Sequence, residues 1–163
     1  MRKLLLQMQT SLDGFVADKN GDTSWMQWSW GAEWTWPTGL QKYHVETISS
    51  ADEVLLSDVL ARQGFVDHWA RVAKKIRDPQ AIFASALTNA HKTVFSQSLD
   101  SLKWGNTNLA TKDLAHEVIN LKAAKGKNII AFGGVRFATS LLKEGLVDEL
   151  HLIVNPTAIG DGL

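Results

Sequence analysis

The sequence contains no cysteine. That excludes disulfides, thiolate catalysis and cysteine-held zinc, and is neutral about compartment. There is no excess of charge of either sign, since 17 lysines and arginines stand against 17 aspartates and glutamates. Such a balance supplies no global pull toward nucleic acid or an anionic membrane. No apolar run approaches the ~20 residues of a membrane span. Arg2 and Lys3 precede Leu4, Leu5 and Leu6 in the manner of a signal peptide, but Gln7, Gln9 and Asp13 break the run and no small-residue cleavage site follows. The expectation is a cytoplasmic protein. The Rossmann glycine fingerprint, the P-loop and the nucleophile elbow are all missing. His44, His68, His91, His116 and His151 show no metal-ligand spacing, so surface or half-buried roles are expected for them.

What is present reads as alternating strands and helices. At 163 residues the chain is sized for one domain, residues 1–163, and needs no covalent staple to hold a core. Residues 3–10 read as a mostly buried strand ending in a turn at Asp13-Gly14. Residues 38–50 fit an amphipathic helix with Leu40, Tyr43, Thr47 and Ile48 on one face. A short buried strand at 53–57 leads into a helix at 58–69, with Asp58 as its N-cap. Another short strand is expected at 92–96. The clearest helix spans 111–125. Asp113 and Glu117 stand early in it, Lys122 and Lys125 late, Gly126 stops it, and Leu114, Val118, Leu121 and Ala124 form its stripe. A strand at 128–132, a helix ending near Gly145 and a last strand at 147–155 complete the series, with Pro156 closing it. The pattern predicts an α/β fold with a largely parallel sheet. Gly160-Asp161-Gly162-Leu163 is a turn with no strand after it, so a C-terminal antiparallel edge is expected to be truncated.

Three groups of residues could carry chemistry. In the first, the strand Ile129-Ile130-Ala131-Phe132 runs into Gly133-Gly134 and opens a helix at Val135-Arg136-Phe137. Glycine permits close approach of a ligand, and a helix start suits a phosphate; a plain strand–turn–helix corner has the same pattern. In the second, Trp25, Trp28, Trp30, Trp34 and Trp36 crowd one segment. They could wall a pocket for a planar ligand or form a partner interface. In the third, Asp13 is a turn former or a group at the mouth of the sheet, while Asp22 and Glu33 are either proton sources near the tryptophans or solvated loop acids.

The run from Gly133 through Leu142, then Gly145-Leu146-Val147-Asp148-Glu149-Leu150-His151-Leu152, Pro156 and Gly160-Asp161-Gly162, resembles the RibD C-terminal-domain/dihydrofolate-reductase-like family. Ser11-Leu12-Asp13-Gly14-Phe15-Val16-Ala17 is similar to that family's first strand and turn, and Asn20-Gly21 with Ser24-Trp25 to the segment that follows. The resemblance spans nearly the whole chain. It implies a central, mostly parallel sheet flanked by helices, a homodimer, and NADPH laid across the strand ends. By the same resemblance Ala17 lies beside the nicotinamide. Gly133, Gly134 and the helix start at Val135, Arg136, Phe137 and Ala138 cradle the pyrophosphate. Ser57 stands at the second phosphate-receiving helix start, and Ser96 near the adenosine 2′-phosphate. Asp13, Ser24 and Trp25 would line the substrate pocket.

The departures bear on function. Relatives carry Gly-Arg where this chain has Ser57-Asp58. Exchanging the arginine for a carboxylate removes a bidentate phosphate partner and adds a like charge, which weakens NADPH or shifts preference toward NADH. Gln7, Phe132 and Thr47 stand where riboflavin-pathway reductases have polar substrate contacts, which argues against a ribityl-phosphate substrate. Three readings follow: a stand-alone NAD(P)H-dependent reductase of a C=N or C=O group, a non-catalytic nucleotide-binding or scaffold protein, and an interaction module built on the tryptophan segment.

Overall fold

Leu4, Leu5 and Leu6 are all buried in strand β1 (Leu4–Thr10), so this strand is covered on both faces. Burial of that kind belongs to the middle of a parallel α/β sheet. The computed structural model describes residues 1–27 and 34–163. After β1 come α1 (Thr38–Ser49), β2 (Ala51–Ser57), α2 (Asp58–Arg62), α3 (Phe65–Val72), α4 (Ala81–Asn89), β3 (His91–Phe95), β4 (Thr107–Leu109), α5 (Leu114–Ala123), β5 (Asn128–Phe132), α6 (Val135–Lys143) and β6 (Glu149–Val154). The six strands form one sheet in the order β4-β3-β2-β5-β1-β6, and every pairing is parallel.

Side chains of successive strand residues point to opposite faces, and two cores follow from that alternation. On one face Leu5, Val54, Leu56, Val94 and Ile130 pack with Ile48 of α1, Trp69 of α3 and Phe83 of α4. On the other, Leu4, Leu6, Leu55, Ile129 and Ala131 pack with Val118 of α5 and Leu141 of α6. With all strands parallel, their carboxyl ends open on the same side. That side is where open α/β sheets bind ligands.

Several boundaries differ from the expectation. The helix expected at 58–69 is two helices, because Gly64 takes a left-handed φ of 81° between them. Asp58 is not the cap of α2. Ser57 is, its Oγ accepting a hydrogen bond from the Leu60 N–H at 3.3 Å, and Asp58 is the first helical residue. The helix expected at 111–125 is trimmed to α5, with Asp113 as its N-cap. In α1 the buried residues are His44, Thr47 and Ile48, while Tyr43 turns outward. Neither α4 nor β4 was expected. Ala81–Asn89 is apolar on most of its turns, with only Ser85, Thr88 and Asn89 polar, and its start at Gln80 has no side-chain cap, so it lacks a clear amphipathic period and a capping signal.

No antiparallel strand pair occurs among the described residues. The segment after β6 folds back onto the loop that follows β1. Leu12 N–H donates to Thr157 O at 2.9 Å, Val16 N–H to Leu163 O at 2.8 Å, and Leu163 N–H to Ala17 O at 2.9 Å. The carboxylate of Asp13 accepts from the backbone N–H of Ile159 at 3.2 Å and of Gly160 at 2.7 Å. No helix of the described residues is long and apolar enough to cross a membrane.

Candidate functional site

A cavity of about 1220 Å³ lies across the carboxyl ends of the strands. The last residues of β2, β3 and β5 reach it as Ser57, Phe95 and Phe132, and β1 contributes Gln7, Met8 and Gln9. One end is built around the start of α6. Gly134 caps this helix with no side-chain hydrogen bond and no acid in the first turn. The first intrahelical bond joins Ala138 N–H to Gly134 O at 3.1 Å, so the N–H groups of Val135, Arg136 and Phe137 have no helical acceptor. They carry the positive end of the helix dipole.

The two glycines differ. A Cβ on Gly133 would stand 2.6 Å from the Phe137 ring, so its bareness serves packing. A Cβ on Gly134 would meet nothing within 4 Å, and its φ of −77° suits any residue. At that position the missing side chain leaves open space in front of the helix.

Ser96 and the pair Ser57-Asp58 complete this end. The Asp58 carboxylate accepts from Ser96 Oγ at 2.7 Å and from Arg62 Nε at 2.9 Å. Those bonds, Ser96 first and then Arg62, hold its carboxyl below the ordinary range, and burial only partly opposes them. The Asp58 carboxylate, at the position where the resemblance implies an arginine, is therefore ionised and paired. Lys112 and Arg136 also border the cavity, and neither forms an ion pair among the described residues.

The other end is aromatic. Trp34 and Trp36 line it, their backbone carbonyls accepting hydrogen bonds from the Gln41 side chain of α1 at 3.3 and 2.6 Å. His44 stacks on Phe83 with ring centroids 4.1 Å apart, and Trp36 stands 4.8 Å from His44. Burial lowers the His44 pKa from 6.5 to about 3, so the ring is neutral at physiological pH. This departs from the half-buried role expected of the histidines. No cluster of metal-ligating side chains occurs among the described residues.

Of the residues expected at the site, Ala17, Ser57, Ser96, Gly133, Gly134, Val135, Arg136 and Phe137 border the cavity together. Ala138 does not. It is buried under the sheet against Leu141 and Leu146. Asp13 does not border it either, its two oxygens being taken by Ser11, Ile159 and Gly160. Ser24 donates to the Asp22 carboxylate and Trp25 Nε1 to the Asp22 carbonyl at 3.2 Å, both away from the cavity wall. Trp28, Trp30 and Glu33 lie outside the described residues. Sequence reasoning missed His44, Trp69 and Phe83 as cavity residues, and placed Gln7 by resemblance where riboflavin-pathway reductases have a polar substrate contact. Gln7 did carry a signal, as a polar residue directly after Leu4-Leu5-Leu6 in a strand covered on both faces.

The comparisons with known proteins agree with this architecture. The model of the family described as the RibD C-terminal domain matches residues 2–163. Uncharacterized protein YyaP of Bacillus subtilis (strain 168) is 26% identical over 163 residues, covering 99% of this chain and 78% of that protein. Uncharacterized protein YwjB of the same organism is 23% identical, covering 99% and 81%. Among solved structures, a protein from Shewanella sp. PV-4 named for riboflavin biosynthesis superposes with a TM-score of 0.62 at 22% identity, covering 99% of this chain and 81% of that one. A diaminohydroxyphosphoribosylaminopyrimidine deaminase/5-amino-6-(5-phosphoribosylamino)uracil reductase from Thermotoga maritima also gives 0.62 at 19% identity, covering 99% of this chain and 47% of the other. At such identities the structural likeness establishes the fold.

Proposed function

The chain belongs to the RibD C-terminal domain family, and on that premise we propose that it is a reductase that takes hydride from NADPH and reduces a C=O or C=N group of a small molecule. The observation that carries this reading is the uncapped start of α6 facing the cavity, with Arg136 in its first turn and Lys112 on the wall of the same cavity. Free N–H groups, a positive dipole end and two cations suit a pyrophosphate. A side chain at Gly134 would fill the space such a group needs.

Val135, Arg136 and Phe137 would hold the pyrophosphate through backbone N–H groups, and Ala17 would border the nicotinamide. When bound, NADPH supplies a hydride which, with one proton, turns C=O into an alcohol or C=N into an amine and leaves NADP⁺. The walls orient the acceptor and exclude bulk water. Among the described residues Asp58 and Asp113 are the side-chain carboxylates on the cavity wall, and both are held ionised: Asp58 by Ser96 and Arg62, Asp113 by the backbone N–H and the ring of His116. A carboxylate held ionised is a poor proton donor, so the proton comes from water.

A second reading concerns the cofactor. The Ser96 hydroxyl, placed by the resemblance near the adenosine 2′-phosphate, is donated to Asp58 at 2.7 Å. An ionised carboxylate at that spot repels a 2′-phosphate and tolerates the 2′-hydroxyl of NADH. The cytoplasmic setting and the homodimer implied by the resemblance belong to the same proposal, and light scattering on the eluting protein tests the dimer.

The test is titration with NADPH and, separately, NADH, followed by tryptophan fluorescence. Saturable quenching by NADPH that is lost in Gly134→Asp supports the reading. Tighter NADH binding assigns the cofactor to the second reading. Binding of neither, checked by equilibrium dialysis, leaves a scaffold that keeps the fold without the chemistry.

A further inference from the structure

A chain of polar contacts runs from α1 to β6, apart from the cavity. Glu149 pairs in register with Leu5, which packs on the same side as Ile48 of α1, so Glu149 and His151 both point to the α1 face of β6. Tyr43 reaches them from α1, and Lys3 from the residue ahead of β1. Tyr43 Oη stands 2.6 Å from His151 Nδ1, and His151 Nε2 stands 3.1 Å from Glu149 Oε2. Lys3 Nζ donates to Glu149 Oε1 at 2.7 Å. None of the four residues borders the cavity.

Chemistry fixes the order of donors and acceptors along this chain. Lys3 first and His151 second hold the Glu149 carboxyl below its ordinary range, so it is ionised and only accepts. In a neutral ring the His151 proton therefore sits on Nε2, and Nδ1 keeps a lone pair for the Tyr43 O–H. A hydroxyl bonded to a ring nitrogen, with the far side of the ring oriented by a third group, is the arrangement that activates a nucleophile. Tyr43 is 43% exposed, so a reagent can reach it from solvent. It is also the only tyrosine of a chain that has no cysteine.

We propose that Tyr43 is a covalent modification site, a nucleophile that takes an acyl group from an activated acyl donor, with His151 as its base and Glu149 as the positioning residue. In this step the bond from Tyr43 Oη to the acyl carbon forms, and the bond from that carbon to the leaving group breaks. The phenolic proton passes to His151 Nδ1 and on to the leaving group, and nothing is oxidised or reduced. A phenol has an ordinary pKa of about 10. An acyl group therefore moves to it from a leaving group of equal or lower basicity, which defines the donor as an aryl ester, a thioester or an acyl phosphate. The site shares no residue with the cavity, so it stands apart from the reductase reading.

The probe is p-nitrophenyl acetate, applied to the protein and to N-acetyltyrosinamide at one pH, with the acetyl group located by peptide mass spectrometry. Hydroxylamine cleaves a phenyl ester and spares the amides formed on lysine, which separates the two. Tyr43 should be acetylated at least ~ten-fold faster than N-acetyltyrosinamide. His151→Phe and His151→Gln should each bring the rate down to that of the small molecule, and a thermal melt confirms that each is folded. Glu149→Gln presents a donor to Nε2 and so reverses the tautomer. It should slow acetylation about ten-fold and move the ring proton to Nδ1, as read from the nitrogen chemical shifts of the ring, which a merely structural contact would leave unchanged. The proposal is overturned if Tyr43 reacts no faster than N-acetyltyrosinamide, if either folded His151 variant reacts like the parent, or if the hydroxylamine-labile acetyl sits only on serine or threonine. The Tyr43–His151 bond is then a surface clasp between α1 and β6.

Discussion

Arg62 stands one helical turn beyond Asp58 and grips it from the side, its Nε 2.9 and 3.0 Å from the two carboxylate oxygens. The same guanidinium donates through Nη2 to Ser98 Oγ at 2.5 Å. The carboxylate of Asp58, where the resemblance implies an arginine, thus comes with a counter-charge four residues on. Under the proposed function that counter-charge mutes its effect on an anionic cofactor.

Removing the counter-charge should expose that effect. Arg62→Ala is expected to weaken NADPH about three- to ten-fold, since partly exposed charges interact by about 1 kcal/mol. Asp58→Asn in the same background should restore the affinity. Fluorescence titration of the single and double variants reads both changes. Equal binding by all three proteins would show that Asp58 lies out of reach of the cofactor phosphates.

The two glycines before α6 should separate stability from binding. Gly133→Ala forces its methyl against Phe137, which itself packs 5.5 Å from Phe95, and should cost about 1–3 kcal/mol in the melt. Gly134→Asp enters open space at an N-cap and should hold or slightly raise stability. It should still weaken NADPH at least ten-fold by setting a negative charge before the helix. A Gly134→Asp protein that melts normally and binds NADPH normally would refute the placement of the pyrophosphate.

His44 should make stability depend on pH. Its folded pKa of about 3 lies below the ordinary 6.5 because burial penalises the charged ring. Between those values the unfolded chain binds a proton that the folded one does not. Stability is therefore complete above about pH 6.5 and falls as pH drops toward 3, with a slope approaching ~1.4 kcal/mol per unit. His68, also lowered, first by partial burial and then by Arg71, adds in the same direction. His44→Phe should remove most of the slope between pH 6.5 and 4.5, as read from urea midpoints. An unchanged slope would locate the dependence elsewhere.

Lys92 should matter to α4. Its side chain is almost fully buried, and Nζ donates to the carbonyls of Leu87, Thr88 and Ala90 at 3.3, 2.9 and 2.7 Å. These are the last carbonyls of a helix that lacks other caps. Lys92→Met should lower stability by about 1–3 kcal/mol while leaving NADPH binding intact at temperatures where the protein is folded. Thermal melts and a fluorescence titration with NADPH check it.

The parts of the molecule legible in the sequence are those with a strong local signal. β1, β5 and α5 were readable from unbroken apolar runs, acidic starts and basic ends, and the corner at Gly133-Gly134 from its punctuation. The division of 58–69 into two helices turns on the left-handed φ of Gly64, which the sequence alone does not reveal. The aromatic end of the cavity was illegible for a different reason. His44, Trp69 and Phe83 come from three elements, and only the crossovers bring them to one wall. The tryptophan segment drew notice by density alone, yet Trp34 and Trp36 border the cavity while Trp25 turns away.

The position of β1 between β5 and β6 has a consequence for synthesis. Leu4 pairs in register with Ile129 and Leu5 with Glu149, so β1 finds both neighbours only in strands that follow it at great distance along the chain. The loop after it is fastened by residues 157–163. A nascent chain lacking β5 and β6 therefore carries Leu4, Leu5 and Leu6 uncovered, with nothing to zip against. Contacts of such long sequence separation are slow to form and leave apolar strands open to aggregation meanwhile. Those pairings of β1 are thus completed only once β5 and β6 are available, and yield should respond to chaperones that shelter β1 in the interval.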